Sequence, residues 1–95
     1  MKYIVDIDGT ICTQQKSGEY HKAEPYRDRI DQLNELHKEG HEIVYWTARG
    51  MSSGMDHTEL TKKQLTEWGC QYTALKMNKP SYDVWVDDKS RWIFE

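Results

Sequence analysis

The sequence predicts an α/β domain on a parallel sheet, with four strands in the order 3-2-1-4, helices on both faces and the functional residues along one sheet edge. Three observations predict it. An apolar run, Tyr3-Ile4-Val5-Asp6-Ile7, leads straight into the carboxylates of Asp6 and Asp8. A second β-prone run, Ile43-Val44-Tyr45-Trp46-Thr47, follows after one helical pattern, and two more, at 72–75 and 82–86, follow after another. Strands joined through helices pair in parallel, because a parallel neighbour can begin only after a crossover of a dozen or more residues.

The first run lacks Gly and Pro and alternates little, which suits a strand covered on both faces. Asp6 and Asp8 then stand at its carboxyl end, the edge at which open α/β sheets bind ligands. Gly9 lets the chain turn sharply, and Thr10 places a hydroxyl beside the turn. Carboxylates two residues apart repel, so a divalent cation, a lysine or a shared proton must lie between them. Taken alone the pair also fits a solvated acidic turn. Residues 12–24 are polar and include Gly18, a loop or small hairpin over that strand end, with Tyr20 and His21 either touching a ligand or simply exposed.

Pro25 fits the first turn of a helix. Tyr26, Ile30, Leu33 and His37 recur at i, i+4, i+7 and i+11, Leu36 widens the stripe, and Gly40 caps the end. The second strand, 41–47, delivers Thr47 to the same edge as the two aspartates. Arg49 is the fixed cation of the small-residue loop after it, either for a substrate anion or for an ion pair. Asp56 opens a second helix with Glu59 in a capping-box position; Thr61, Leu65 and Trp68 form its inner face and Gly69 ends it. After the third strand come Lys76, Asn78, Lys79 and Pro80, and the fourth strand delivers Asp87 and Asp88. Trp92-Ile93-Phe94 adds an edge strand or packs on the core.

Ninety-five residues fit one domain, 1–95, without room for a separate lid. A net charge of −3 with no basic stripe argues against a nucleic-acid partner. No apolar run reaches bilayer length and the first residues enter a strand, so neither a membrane partner nor a signal peptide is expected and a cytoplasmic location is. Cys12 and Cys70 lie in no metal-ligand spacing and are read as free thiols; His37 and His41 stand at i, i+4 but with Gly40 breaking the helix between them.

Asp6-Ile7-Asp8-Gly9-Thr10-Ile11 resembles the first motif of the haloacid dehalogenase (HAD) superfamily, mostly magnesium-dependent phosphohydrolases with a Rossmann-like three-layer core. The order Asp-x-Asp, Thr47, Lys79, Asp87-Asp88 is similar to all four motifs of that family, across residues 6–88. The resemblance implies that Asp6 is the nucleophile, forming an aspartyl phosphate, and that Asp8 exchanges protons with the leaving oxygen and the attacking water. It further implies that Thr47 and Lys79 hold the phosphoryl oxygens. Mg²⁺ would lie between Asp6, the backbone carbonyl of Asp8 and the last motif, with Asp88 preferred over Asp87 as direct ligand and Lys79 over Lys76 as the phosphate lysine.

Gly9, Thr10, Ala48 and Arg49, with Tyr20 and His21, are the candidate substrate contacts, and a small phosphorylated metabolite or sugar phosphate is the expected substrate. No cap domain follows the first or second motif, as in the small capless members of bacterial surface-sugar and capsule pathways that the chain resembles. Loops 12–24 and 49–55, or a neighbour in a homo-oligomer, would then form the substrate rim. A phosphotransferase or phosphomutase is the alternative on the same fold. A signalling receiver domain uses similar residues but carries its acidic pair on the first strand and the phosphorylated Asp on a middle one, the reverse of the order here.

Overall fold

A computed structural model describes residues 1–95. β1 (Lys2–Val5), α1 (Arg27–Lys38), β2 (Glu42–Trp46), α2 (Thr58–Glu67) and β3 (Ala74–Lys76) follow in that order, with a short 3-10 turn at Tyr20–Lys22. All three strands are parallel, with β2 central. The register sets Val5 opposite Tyr45 and Tyr45 opposite Leu75, so the strands end level and their following loops share one edge.

Side-chain alternation explains the layers. Val5, Ile43 and Tyr45 point to the face on which Ile30 and Leu33 of α1 and Leu65 of α2 pack, together with Ile7, Ile11, Trp68 and Phe94. Of the stripe read from α1, Ile30 and Leu33 are buried and Leu36 packs against the core, whereas Tyr26 stands exposed at the N-cap, before the helix. Gly40, at φ +98, turns the chain out of that helix into β2. Both helices therefore cover the same face. The opposite face carries Ile4, half exposed, and Val44, and toward its carboxyl end Trp46, whose ring meets Trp85 edge-on.

The parallel α/β core without a cap is as expected: nothing but loop and one 3-10 turn separates β1 from α1. The fourth position of the 3-2-1-4 order is a correction. Residues 82–86 form no strand and β1 has an open edge. The cause is visible in where the side chains go: Tyr82 and Trp85 pair with each other and Trp85 with Trp46, while Val84 and Val86 are 76% and 91% exposed. Aromatic packing over the sheet's second face takes the place of a ladder on β1, and an irregular segment stands where a helical layer was expected. The chain then returns to the helical face, where Phe94 joins the core and the Ile93 carbonyl accepts from Gln32. No helix is long and apolar enough to cross a membrane.

Candidate functional site

Asp6 lies one residue past β1, followed by a tight turn in which the Ile7 carbonyl accepts from the amides of Thr10 and Ile11. Gly9, at φ +81, supplies the bend. Arg29 of α1 fixes this turn from outside by donating to the Thr10 carbonyl, and its guanidinium is sandwiched by Tyr26 and Trp92. Thr47 is buried at the end of β2; its backbone bonds Lys76 and Lys79, and its Oγ1 accepts from the Arg49 amide.

The positive charge that the two aspartates require comes from two different residues. Lys79 Nζ stands 3.6 Å from Asp6 Oδ1. Arg49 forks onto Asp8, Nε to Oδ2 at 3.0 Å and Nη2 to Oδ1 at 2.9 Å. Lys79, and not the exposed Lys76, is therefore the lysine that stands beside Asp6. Asp6 has its pKa raised by burial, against which the Lys79 charge and the Ile7 amide act, while Asp8 adds a smaller upward push. Cys12 reaches Asp8 Oδ1 and the Ile7 carbonyl through its thiol, which desolvation, with the Asp8 charge second, pushes up to about 12.

Of the two roles read for Arg49, a substrate anion or an ion pair, the structure shows the ion pair. Its side chain is fully buried and faces inward, so it is no rim residue for a substrate anion. Nη1 donates to Thr61 and Gln64 of α2, and the Tyr20 ring covers the guanidinium at 4.7 Å. Tyr20 thus meets the site through Arg49, while His21 is exposed on the 3-10 turn. Gln64 was not singled out in the sequence. The signal for it is a polar residue on the same face as Thr61 and Leu65, which asks for a buried partner.

Ala48 and Gly50 continue the loop. A Cβ at Gly50, which sits at φ +88, would lie 2.1 Å from the Met55 carbonyl oxygen. Asp56 accepts from the Thr58 amide and hydroxyl, but the expected capping box is a correction: α2 starts one residue later, with His57 at the N-cap position and no side-chain capping bond there. A cleft of about 370 Å³ opens beside this loop, lined by Arg49, Gly50, Met55, His57, Met77 and Asn78 among others, and His57 Nε2 is without a partner.

Asp87 and Asp88 are exposed, Asp87 accepting from Trp85 Nε1 and the Lys89 amide. They are not brought to Asp6 and Asp8, and nowhere do three His, Cys, Asp or Glu side chains gather as a metal cage. The donor chemistry at Asp6 still suits Mg²⁺, which keeps several waters and needs only one or two carboxylates: Asp6 is 38% exposed and meets Lys79 through Oδ1.

The family model described as the phosphatase domain of polynucleotide kinase (PNKP) in the HAD superfamily matches residues 1–93. No curated protein matches the chain by sequence. A crystal structure of a structural-genomics target from Vibrio cholerae superimposes with a TM-score of 0.75 at 30% identity, covering 98% of this chain and 78% of that one. With the parallel edge that carries Asp6, Asp8, Thr47 and Lys79, these matches place the chain in the HAD superfamily, in the family of PNKP-type phosphatase domains.

Proposed function

We propose that the protein is a magnesium-dependent phosphomonoester hydrolase acting through an aspartyl phosphate on Asp6, with a small phosphorylated metabolite as substrate. The observation that carries this reading is the meeting of Asp6 with Lys79 at the same edge as Arg49-held Asp8 and buried Thr47. An Asp6 oxygen attacks phosphorus, the bond to the ester oxygen breaks, and that oxygen keeps the electron pair and takes a proton from Asp8. Water then gives a proton to Asp8 as it attacks the acyl phosphate, returning Asp6 and releasing phosphate. Lys79 moves its charge from Asp6 toward the phosphoryl oxygens as they arrive, and Thr47 marks their other side.

Asp6 and the Asp8 carbonyl are the proposed Mg²⁺ ligands, with Asp88 and Asp87 recruited from the exposed segment. The bound ion would supply further positive charge to the phosphoryl oxygens. The cleft beside Gly50 and His57 has room for the leaving group.

A second reading, the terminal phosphate of a nucleic acid, draws on the description of the matching family and on the half-exposed Tyr82 and Trp85 rings beside Lys79. The net charge of −3 favours the small substrate. One assay separates them: purified protein with Mg²⁺ against sugar, nucleotide and metabolite phosphates and a 3′-phosphorylated oligonucleotide. Asp6→Asn is expected to cut turnover of an aryl phosphate by about 10³-fold or more while remaining folded. Phosphate trapped on a residue other than Asp6, or full activity after chelation, contradicts the mechanism. Tryptophan fluorescence that changes on Mg²⁺ addition would report recruitment of the segment bearing Trp85.

A further inference from the structure

Arg49, which the sequence leaves between a substrate anion and an ion pair, has its donors committed to side chains of this chain. Nε and Nη2 go to Asp8, and Nη1 goes to Thr61 Oγ1 at 3.1 Å and Gln64 Oε1 at 2.6 Å. Four of the five N–H bonds of a guanidinium are therefore engaged, and Tyr20 covers a face.

Each partner is itself oriented. The Thr61 hydroxyl donates to the His57 carbonyl at 2.8 Å, which turns a lone pair to Arg49. Gln64 Nε2 donates to the Tyr20 carbonyl at 2.7 Å, which leaves its Oε1 for Arg49. Tyr20 is braced in turn by the His57 ring, edge-on at 5.0 Å. Reversing one of these groups would set donor against donor, so the arrangement has a single direction and ends on Asp8.

We propose that Arg49 is the positioning residue of Asp8, and that Tyr20, Thr61 and Gln64 hold the guanidinium so that one oxygen of Asp8 is presented to the leaving group. Oδ1 accepts from Arg49 Nη2 and has the Cys12 Sγ 3.6 Å away, whereas Oδ2 accepts from Arg49 Nε alone. The open lone pair on Oδ2 is where the proton is carried. It passes to the ester oxygen as the phosphorus–oxygen bond breaks, the bonding pair stays on that oxygen, and Asp8 is left as the carboxylate that Arg49 grips in both protonation states. The inference rests on the phosphatase reading above and adds to it a specific function for the 3-10 turn and for α2: they set the efficiency of leaving-group protonation without touching substrate.

Leaving-group dependence tests this. Protonation matters most for an alkyl phosphate, whose alkoxide is a poor leaving group, and least for an aryl phosphate with an acidic phenol. Gln64→Leu and Tyr20→Leu, assayed with Mg²⁺ at a temperature where each variant shows a cooperative melt well above it, are expected to lose about tenfold or more in kcat/KM on an alkyl phosphate. On a dinitrophenyl phosphate the expected loss is under about threefold, and inhibition by inorganic phosphate is unchanged. Having two variants on different elements guards against a fold defect in either. Asp8→Asn is the reference. If it steepens the dependence while both variants lose equally on all esters, the positioning proposal is wrong and the phosphatase reading stands. If Asp8→Asn itself leaves the dependence unchanged, the acid role is wrong and the proposal falls with it. Phosphate inhibition weakened in step with turnover would mean that Arg49 serves the phosphoryl group.

Discussion

The two carboxylates of the site are two residues apart in sequence and are held in opposite ways. Asp8 is 11% exposed and gripped through both oxygens by a guanidinium that solvent does not reach; Asp6 is 38% exposed and meets one ammonium at 3.6 Å. Behind Arg49 stand two residues of a regular helix. Behind Lys79 stand Tyr82 and Trp85, on a segment without regular structure. The proposed mechanism asks for this difference: a proton-exchanging group must keep its direction, whereas a nucleophile must let go of its counter-ion when phosphorus arrives.

Breaking each pair should therefore damage different properties. Lys79→Met is expected to lower kcat/KM by about 100-fold or more, since it removes charge from the phosphoryl site, with a small change in urea midpoint. Arg49→Met leaves Asp8 as an uncompensated, nearly buried charge and should cost about 3–5 kcal/mol in urea unfolding, beyond its effect on rate. Equal stability losses from the two substitutions would erase the contrast between a fixed and an exchangeable cation.

The pH dependence sharpens the same contrast at intermediate size. Burial raises Asp6 above the ordinary carboxylate value of 3.8, and on the proposed mechanism the reacting form is the carboxylate. Without added metal the acid limb of Asp6 alkylation should thus lie above the ordinary range. Because the Lys79 charge pulls the Asp6 pKa down, Lys79→Met should move that limb to higher pH. The sign for stability is opposite to that of a salt-bridged acid: the folded state binds this proton more tightly, so the Asp6 contribution is present below 3.8 and is lost as pH rises through its elevated value. A limb that does not move in Lys79→Met would show that the lysine does not act on Asp6.

The smallest expected effect is at Cys12. With its thiol pushed to about 12 and fully buried, it should react with iodoacetamide at pH 8 far more slowly than a free cysteine, until urea unfolds the chain. Rapid modification of folded protein would mean that the turn holding Asp8 opens readily.

Local patterns made the strands, the stripe of α1 and the level edge legible, because apolar period and turn residues act at short range. Lys79 was legible through the family resemblance, which preferred it to Lys76 of the same loop. The fourth strand was not: 82–86 has strand composition, but Tyr82 and Trp85 find ring partners and Lys79, and the competition between those contacts and a ladder on β1 is tertiary. Arg49 was legible as a cation and illegible as to its partner. Its direction depends on Thr61 and Gln64, more than ten residues away, and on Tyr20, nearly thirty residues before it.

The bend at Gly50 bears on how freely this sequence can drift. Any side chain there would combine φ +88 with a contact of 2.1 Å against a backbone oxygen, whereas Gly18, also at positive φ, has nothing within 4 Å. Under selection for folded protein in a saturation library, asparagine and aspartate variants would persist at position 18, and position 50 would stay monomorphic. The loop next to Arg49 is thus locked by a residue that offers no functional group of its own.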